Sequence, residues 1–89
     1  MPERNATIAS RVGLHARPAS VFIEAVKRQP MKVTISKGGS TPLDAASILS
    51  IMSLGAANGD IVTLAAEGDG AEAALEELAT LLETDLDAE

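Results

Sequence analysis

Along this chain the apolar spacing switches between the two-residue period of a strand and the three-to-four-residue period of a helix, within 89 residues. A chain of that length supports one core, so strands and helices must alternate around a shared interior. Between Ala16 and Arg28, the residues Ala19, Phe22, Ile23 and Val26 recur at helical spacing and predict one buried face. Pro18 fits the first turn, where its missing N–H costs nothing. Pro30 stops that helix, and Met31 to Lys37 then alternates Met31, Val33 and Ile35 with Lys32, Thr34 and Ser36, as a half-buried strand does.

The remaining punctuation is read the same way. Asn5 to Ala9 is expected to form a first strand, followed by a loop at Val12-Gly13-Leu14 that glycine lets bend sharply. Gly38-Gly39 signals a hairpin, with Ser40 to Leu43 returning and Pro42 confining that strand to a sheet edge. Ser47 opens a short helix whose Ile48, Ile51 and Met52 share a face, and Gly55 caps its end. Asp60 to Ala66 forms another strand. Ala71 to Glu83 forms the last helix, with Ala71, Ala74, Leu75, Leu78, Leu81 and Leu82 inward.

The order strand, helix, strand, strand, helix, strand, helix follows the split βαβ plan through its first six elements. The expectation is an α+β fold, an open-faced β-sandwich: a four-stranded antiparallel sheet with helices on one face and solvent on the other. One domain spans residues 1–89, with no internal repeat and no linker.

Composition narrows the chemistry. The absence of cysteine removes disulfides, iron–sulfur clusters, thiolate metal sites and a cysteine nucleophile. No metal site and no cofactor is expected. Apolar runs are far too short to cross a bilayer and no secretion leader is apparent, so a cytoplasmic protein without membrane insertion is expected. The net charge of −6 is unevenly distributed, because all seven Lys and Arg residues lie within the first 37 positions and none follows. That asymmetry favours an anionic group near the N-terminal half. With Phe22 as the only aromatic, base stacking has no platform, and nucleic acid is excluded as a partner.

His15, the only histidine, immediately precedes a predicted helix whose first-turn amides lack internal partners. Those amides and the positive end of the helix dipole suit a phosphoryl group held by the backbone of Ala16 and Arg17, with the Arg17 guanidinium adding a charge-assisted contact. The same field disfavours imidazolium, which leaves a ring lone pair for in-line attack on phosphorus. A surface histidine near a helix start, beside one more solvated arginine, explains the same spacing equally well.

The segment Gly13-Leu14-His15-Ala16-Arg17-Pro18-Ala19-Ser20 resembles the active-site segment of the HPr phosphocarriers of the sugar phosphotransferase system. The likeness extends to chain size, element order, the stretch Ser47 to Gly55 and the terminal amphipathic helix. It implies that His15 accepts a phosphoryl group on Nδ1 from phosphorylated Enzyme I, with phosphoenolpyruvate as ultimate donor. It also implies that Arg17 stabilises that group, and that the A domains of sugar-specific Enzyme II permeases take it onward. A monomeric carrier, rather than an enzyme, is expected. In some relatives a dedicated HPr kinase phosphorylates a serine corresponding to Ser47. Here Ala46 stands where a basic residue often precedes that serine, and the helix N-cap reading of Ser47 takes precedence. Leu49 and Met52 are the candidate apolar contacts of a partner interface, with Arg17, Lys27 and Arg28 as its basic rim. Glu24 interrupts that rim.

Other functions compete. A regulatory module that binds a small anion at the same helix end would form no covalent adduct. An acyl-carrier protein would be all-helical, which the alternation around Val33 and Val62 opposes.

Overall fold

A computed structural model of the protein describes residues 2–9, 13 and 16–84, excepting the side chain of Ala16. Its elements run β1 (Glu3–Thr7), α1 (Ala16–Lys27), β2 (Val33–Lys37), β3 (Leu43–Asp44), α2 (Ile48–Leu54), β4 (Ile61–Ala66) and α3 (Ala71–Leu82). The four strands form one sheet in the order β1-β4-β2-β3, every neighbouring pair antiparallel. The expected α+β architecture is therefore present. One sheet face receives the helices, through Ala6, Val33, Ile35, Val62 and Leu64. Phe22, the single aromatic, is fully buried between α1 and that face.

Strand boundaries shift for identifiable reasons. β1 starts at Glu3 and ends at Thr7, because its partner β4 begins at Ile61, opposite Thr7. Beyond that pair the chain turns away into a loop that still exchanges hydrogen bonds with Ile8. β3 is only two residues long, later and shorter than expected. Pro42 has no N–H to give a ladder, so pairing starts after it, with Leu43 opposite Ile35 and Asp44 opposite Thr34. Gly38 and Gly39 both take left-handed backbone angles, at φ 60° and 79°, as the tight turn between β2 and β3 requires.

The expected inward face of α2 is corrected. Ile51 and Leu54 enter the core, whereas Ile48 and Met52 are 46% and 37% exposed. A helix of two turns can direct only part of its five apolar side chains inward, and packing against α1 and β3 leaves the 51/54 pair inside. In α3, Ala79 is buried while Leu81 is only half-buried. At 100° per residue the two flank the Ala71–Leu75–Leu78–Leu82 stripe by similar angles on opposite sides, and Leu81 faces the groove toward α1.

Both caps of α2 follow the sequence reading. The Ser47 side chain accepts from the Ser50 amide at 3.4 Å, and Gly55 closes the helix at φ 64° with its N–H on the Met52 carbonyl. Because that N-cap bond is long, Ser47→Ala is expected to lower stability by about 0.5–1 kcal/mol. In a domain of this size the loss corresponds to a Tm lower by roughly 2–8 °C in thermal unfolding.

Candidate functional site

Helix α1 begins at Ala16, directly after His15 in the chain, and its first turn contains no acidic residue. α3, by contrast, carries Glu72 in its first turn. The first turn of α1 thus sets no carboxylate of its own at the positive end of the dipole, a setting that favours an added anion. Pro18 is buried in the first turn and Arg17 is exposed beside it. His15 itself lies outside the described residues, as do residues 10–12 and 14.

What the structure does place is the frame around that segment. Gly13 is buried with φ +74°, and a Cβ there would stand 2.5 Å from the Ala56 carbonyl oxygen and 2.9 Å from the Ala57 Cα. Backbone meets backbone at this point, so only glycine fits. Upstream, Ile8 donates to the Asp60 carbonyl and accepts from the Gly59 amide, each at 2.9 Å, while Ala9 donates to the Leu82 carbonyl at 3.0 Å. The Asn58 carboxamide reaches the Ile8 and Ala9 carbonyls at 3.4 and 3.1 Å.

The loop that provides these contacts is braced internally. Asp60 accepts from the Ala57 amide at 2.9 Å and from Lys37 Nζ at 3.4 Å, and Lys37 also donates to the Gly55 carbonyl. The Ala57 amide, aided by Lys37, holds the Asp60 carboxyl below its ordinary titration range despite some desolvation.

Part of the basic surplus of the N-terminal half is answered by acids of the C-terminal half. Arg4 grips Glu76 through two nitrogens, at 3.0 and 3.3 Å, and approaches Glu83 at 3.5 Å; Lys37 pairs with Asp60. The hydrogen bond from Arg4, with its charge, pulls the Glu76 carboxyl below its ordinary range.

Leu49 and Met52 do emerge on the surface, at 77% and 37% exposure, and Ile48 joins them. They lie on α2, which packs beside α1. The proposed basic rim is more dispersed. Lys27 occupies the last turn of α1, roughly 16 Å from its first residue at 1.5 Å rise per residue. Arg28 lines a groove of about 410 Å³ between α1 and α3, with Val21, Glu24, Ala25 and Leu81. That groove touches none of the residues that frame the start of α1. Asn58 and Asp60 were not among the sequence candidates; the Ala57-Asn58-Gly59-Asp60 turn signal was available to find them.

Comparison with known proteins places this arrangement in a class. Residues 2–84 match the family model described as "PTS HPr component phosphorylation site", that of a phosphotransferase-system phosphocarrier. The chain is 46% identical over 82 residues to the phosphocarrier protein HPr of Streptomyces coelicolor, covering 92% of this chain and 88% of that one. The crystal structure of HPr-C-His from Thermoanaerobacter tengcongensis superposes with a TM-score of 0.89 at 37% identity, covering 100% of this chain and 99% of that one. An HPr dimer from the same organism gives a TM-score of 0.74 at 36% identity, covering 99% and 100%. The chain belongs to the HPr family of phosphocarriers. Among its described residues no helix is long and apolar enough to cross a membrane.

Proposed function

We propose that His15 accepts a phosphoryl group on Nδ1 from phosphorylated Enzyme I and passes it to the A domains of sugar-specific Enzyme II permeases. In each step the bond from phosphorus to the donor breaks as the bond to the acceptor forms, and no cofactor is consumed. The observation that carries the reading is the start of α1. A histidine directly precedes a first turn that contains no acidic residue and lies at the positive end of the helix dipole, within a chain whose family model is named for a phosphorylation site.

Arg17, exposed in that first turn, has the position and charge to contact the phosphoryl oxygens. The apolar strip Ile48, Leu49 and Met52 supports a docking face on the helix that packs against α1, since three exposed large apolar side chains on two turns are more than a solvated helix needs. The carrier acts as a cytoplasmic monomer. Ser47 serves first as the α2 N-cap, and phosphorylation by an HPr kinase would compete with that cap bond.

The test is to incubate the protein with phosphoenolpyruvate and Enzyme I and measure its mass. One added phosphoryl group is expected, and Arg17→Glu should slow its appearance about tenfold or more, the scale of losing one charge-assisted contact and adding repulsion. An unchanged mass for the wild-type chain rejects the reading. Reversible phosphate binding without a mass change would favour a regulatory anion-binding module.

A further inference from the structure

We propose that Asn58 is a positioning residue for phosphoryl transfer, acting by fixing the backbone that leads into residues 10–15; the inference rests on the reading of His15 given above. The carboxamide of Asn58 is not needed to form its own turn. That turn is already closed by the Asp60 amide on the Ala57 carbonyl and by the Ala57 amide on the Asp60 carboxylate, both at 2.9 Å. Instead it reaches across to residues about fifty positions away in the chain, donating to Ile8 and Ala9.

The consequence is clearest at Ala9. Its N–H is held by the Leu82 carbonyl and its C=O by Asn58, so both polar groups of this peptide backbone are committed. Ile8 has other anchors, in Asp60 and Gly59, whereas Asn58 provides the Ala9 carbonyl with its hold. Four residues on, Gly13 packs against Ala56 and Ala57, which belong to the same loop as Asn58. One short loop therefore grips the chain on both sides of residues 10–12. His15 follows two residues after the second grip. Displacement of a reacting atom by about 1 Å can cost up to roughly 10²-fold in rate, so a carboxamide that sets this path can influence transfer without touching phosphorus.

The experiment measures phosphoryl transfer from Enzyme I to Asn58→Ala, Asn58→Asp and Asn58→Gln proteins, well below their unfolding temperatures, and backbone amide exchange at Ala9 and Gly13. Asn58→Ala is expected to lower kcat about five- to tenfold with KM within about twofold of wild type, because the docking face on α2 is untouched. Asn58→Asp, which sets a carboxylate against two carbonyl oxygens, is expected to lose more. Asn58→Gln keeps the donor and should recover most of the rate. A purely structural residue would lower Tm and leave kcat unchanged.

Wild-type rates in both the alanine and aspartate variants would overturn the proposal, as would a raised KM with unchanged kcat. Amide exchange at Ala9 and Gly13 should quicken about tenfold in Asn58→Ala while α3 stays protected, the scale of losing a contact worth one hydrogen bond. That measurement needs no phosphoryl donor: unaltered exchange would refute the anchoring itself, whereas failure of the wild type to take up phosphoryl would refute only the reading of His15.

Discussion

His15→Ala is expected to abolish phosphoryl acceptance, with transfer from Enzyme I falling by at least about 10⁴-fold, the scale seen when a group-transfer nucleophile is deleted. The loss should be this complete because nothing else in the chain can substitute. There is one histidine and no cysteine. The hydroxyls closest in sequence, Ser10 and Ser20, have no second imidazole to act as their base. Rate measurement with phosphoenolpyruvate and Enzyme I checks this, with circular dichroism to show that the variant keeps its sheet and helices. Residual acceptance at even a hundredth of the wild-type rate would mean that another side chain takes the group.

The second large effect is predicted for Gly13→Ala, which should lose about 3 kcal/mol of stability. Two costs combine: the left-handed angle at φ +74° is unfavourable for alanine by about 1–2 kcal/mol, and the added methyl drives into the Ala56 carbonyl and Ala57 Cα. Because both neighbours are main-chain atoms, no rotamer change relieves the clash. Gly39→Ala supplies the control. Gly39 has a similar φ of +79° but nothing within 4 Å of the new methyl, so only the backbone cost of about 1–2 kcal/mol applies. For a domain of this size the corresponding falls in Tm are roughly 12–24 °C and 4–16 °C. Equal losses in the two variants would show that the close approach at Gly13 carries no energy. Transfer by Gly13→Ala should also slow, since relief of the clash must move the chain two residues before His15.

Most of the architecture was legible because apolar period and turn chemistry agreed in each segment. The α1 face of Ala19, Phe22, Ile23 and Val26 is buried throughout, and so are Val62, Leu64 and Ala66 of β4. Ser47 and Gly55 cap α2 as their residue types suggest. Failures arose where short elements offered more apolar residues than one face can hold. In α2, Ile48, Ile51, Met52 and Leu54 compete within two turns, and only the tertiary neighbours of the helix, α1 and β3, decide among them. In α3 a leucine outranks an alanine on hydrophobicity, yet Ala79 is the more buried because burial follows position around the helix. β3 was overestimated because a proline inside a candidate strand limits pairing to the residues beyond it.

The candidate site divides similarly. Its helix start, its glycine and its arginine were visible as local chemistry, and the exposed Leu49 and Met52 emerged from an excess of apolar residues. The loop contacts of Asn58 and Asp60 were not visible, since they join residues about fifty positions apart through side chains with no periodic signature. The charge asymmetry was also only partly informative. Arg4 and Lys37, two of the seven basic residues, are paired within the chain with acids from its C-terminal half.

The central claim, that phosphorus bonds to the ring of His15, is tested most directly by NMR of phosphorylated protein carrying ¹⁵N-labelled histidine. With a single histidine the spectrum holds one pair of ring nitrogens, so assignment to a residue is unambiguous. The account predicts ³¹P coupling to Nδ1 of that ring, disappearing in acid and persisting in alkali. An uncoupled ring in a protein that has nonetheless gained phosphate, or an acid-stable ester on Ser47, would contradict it.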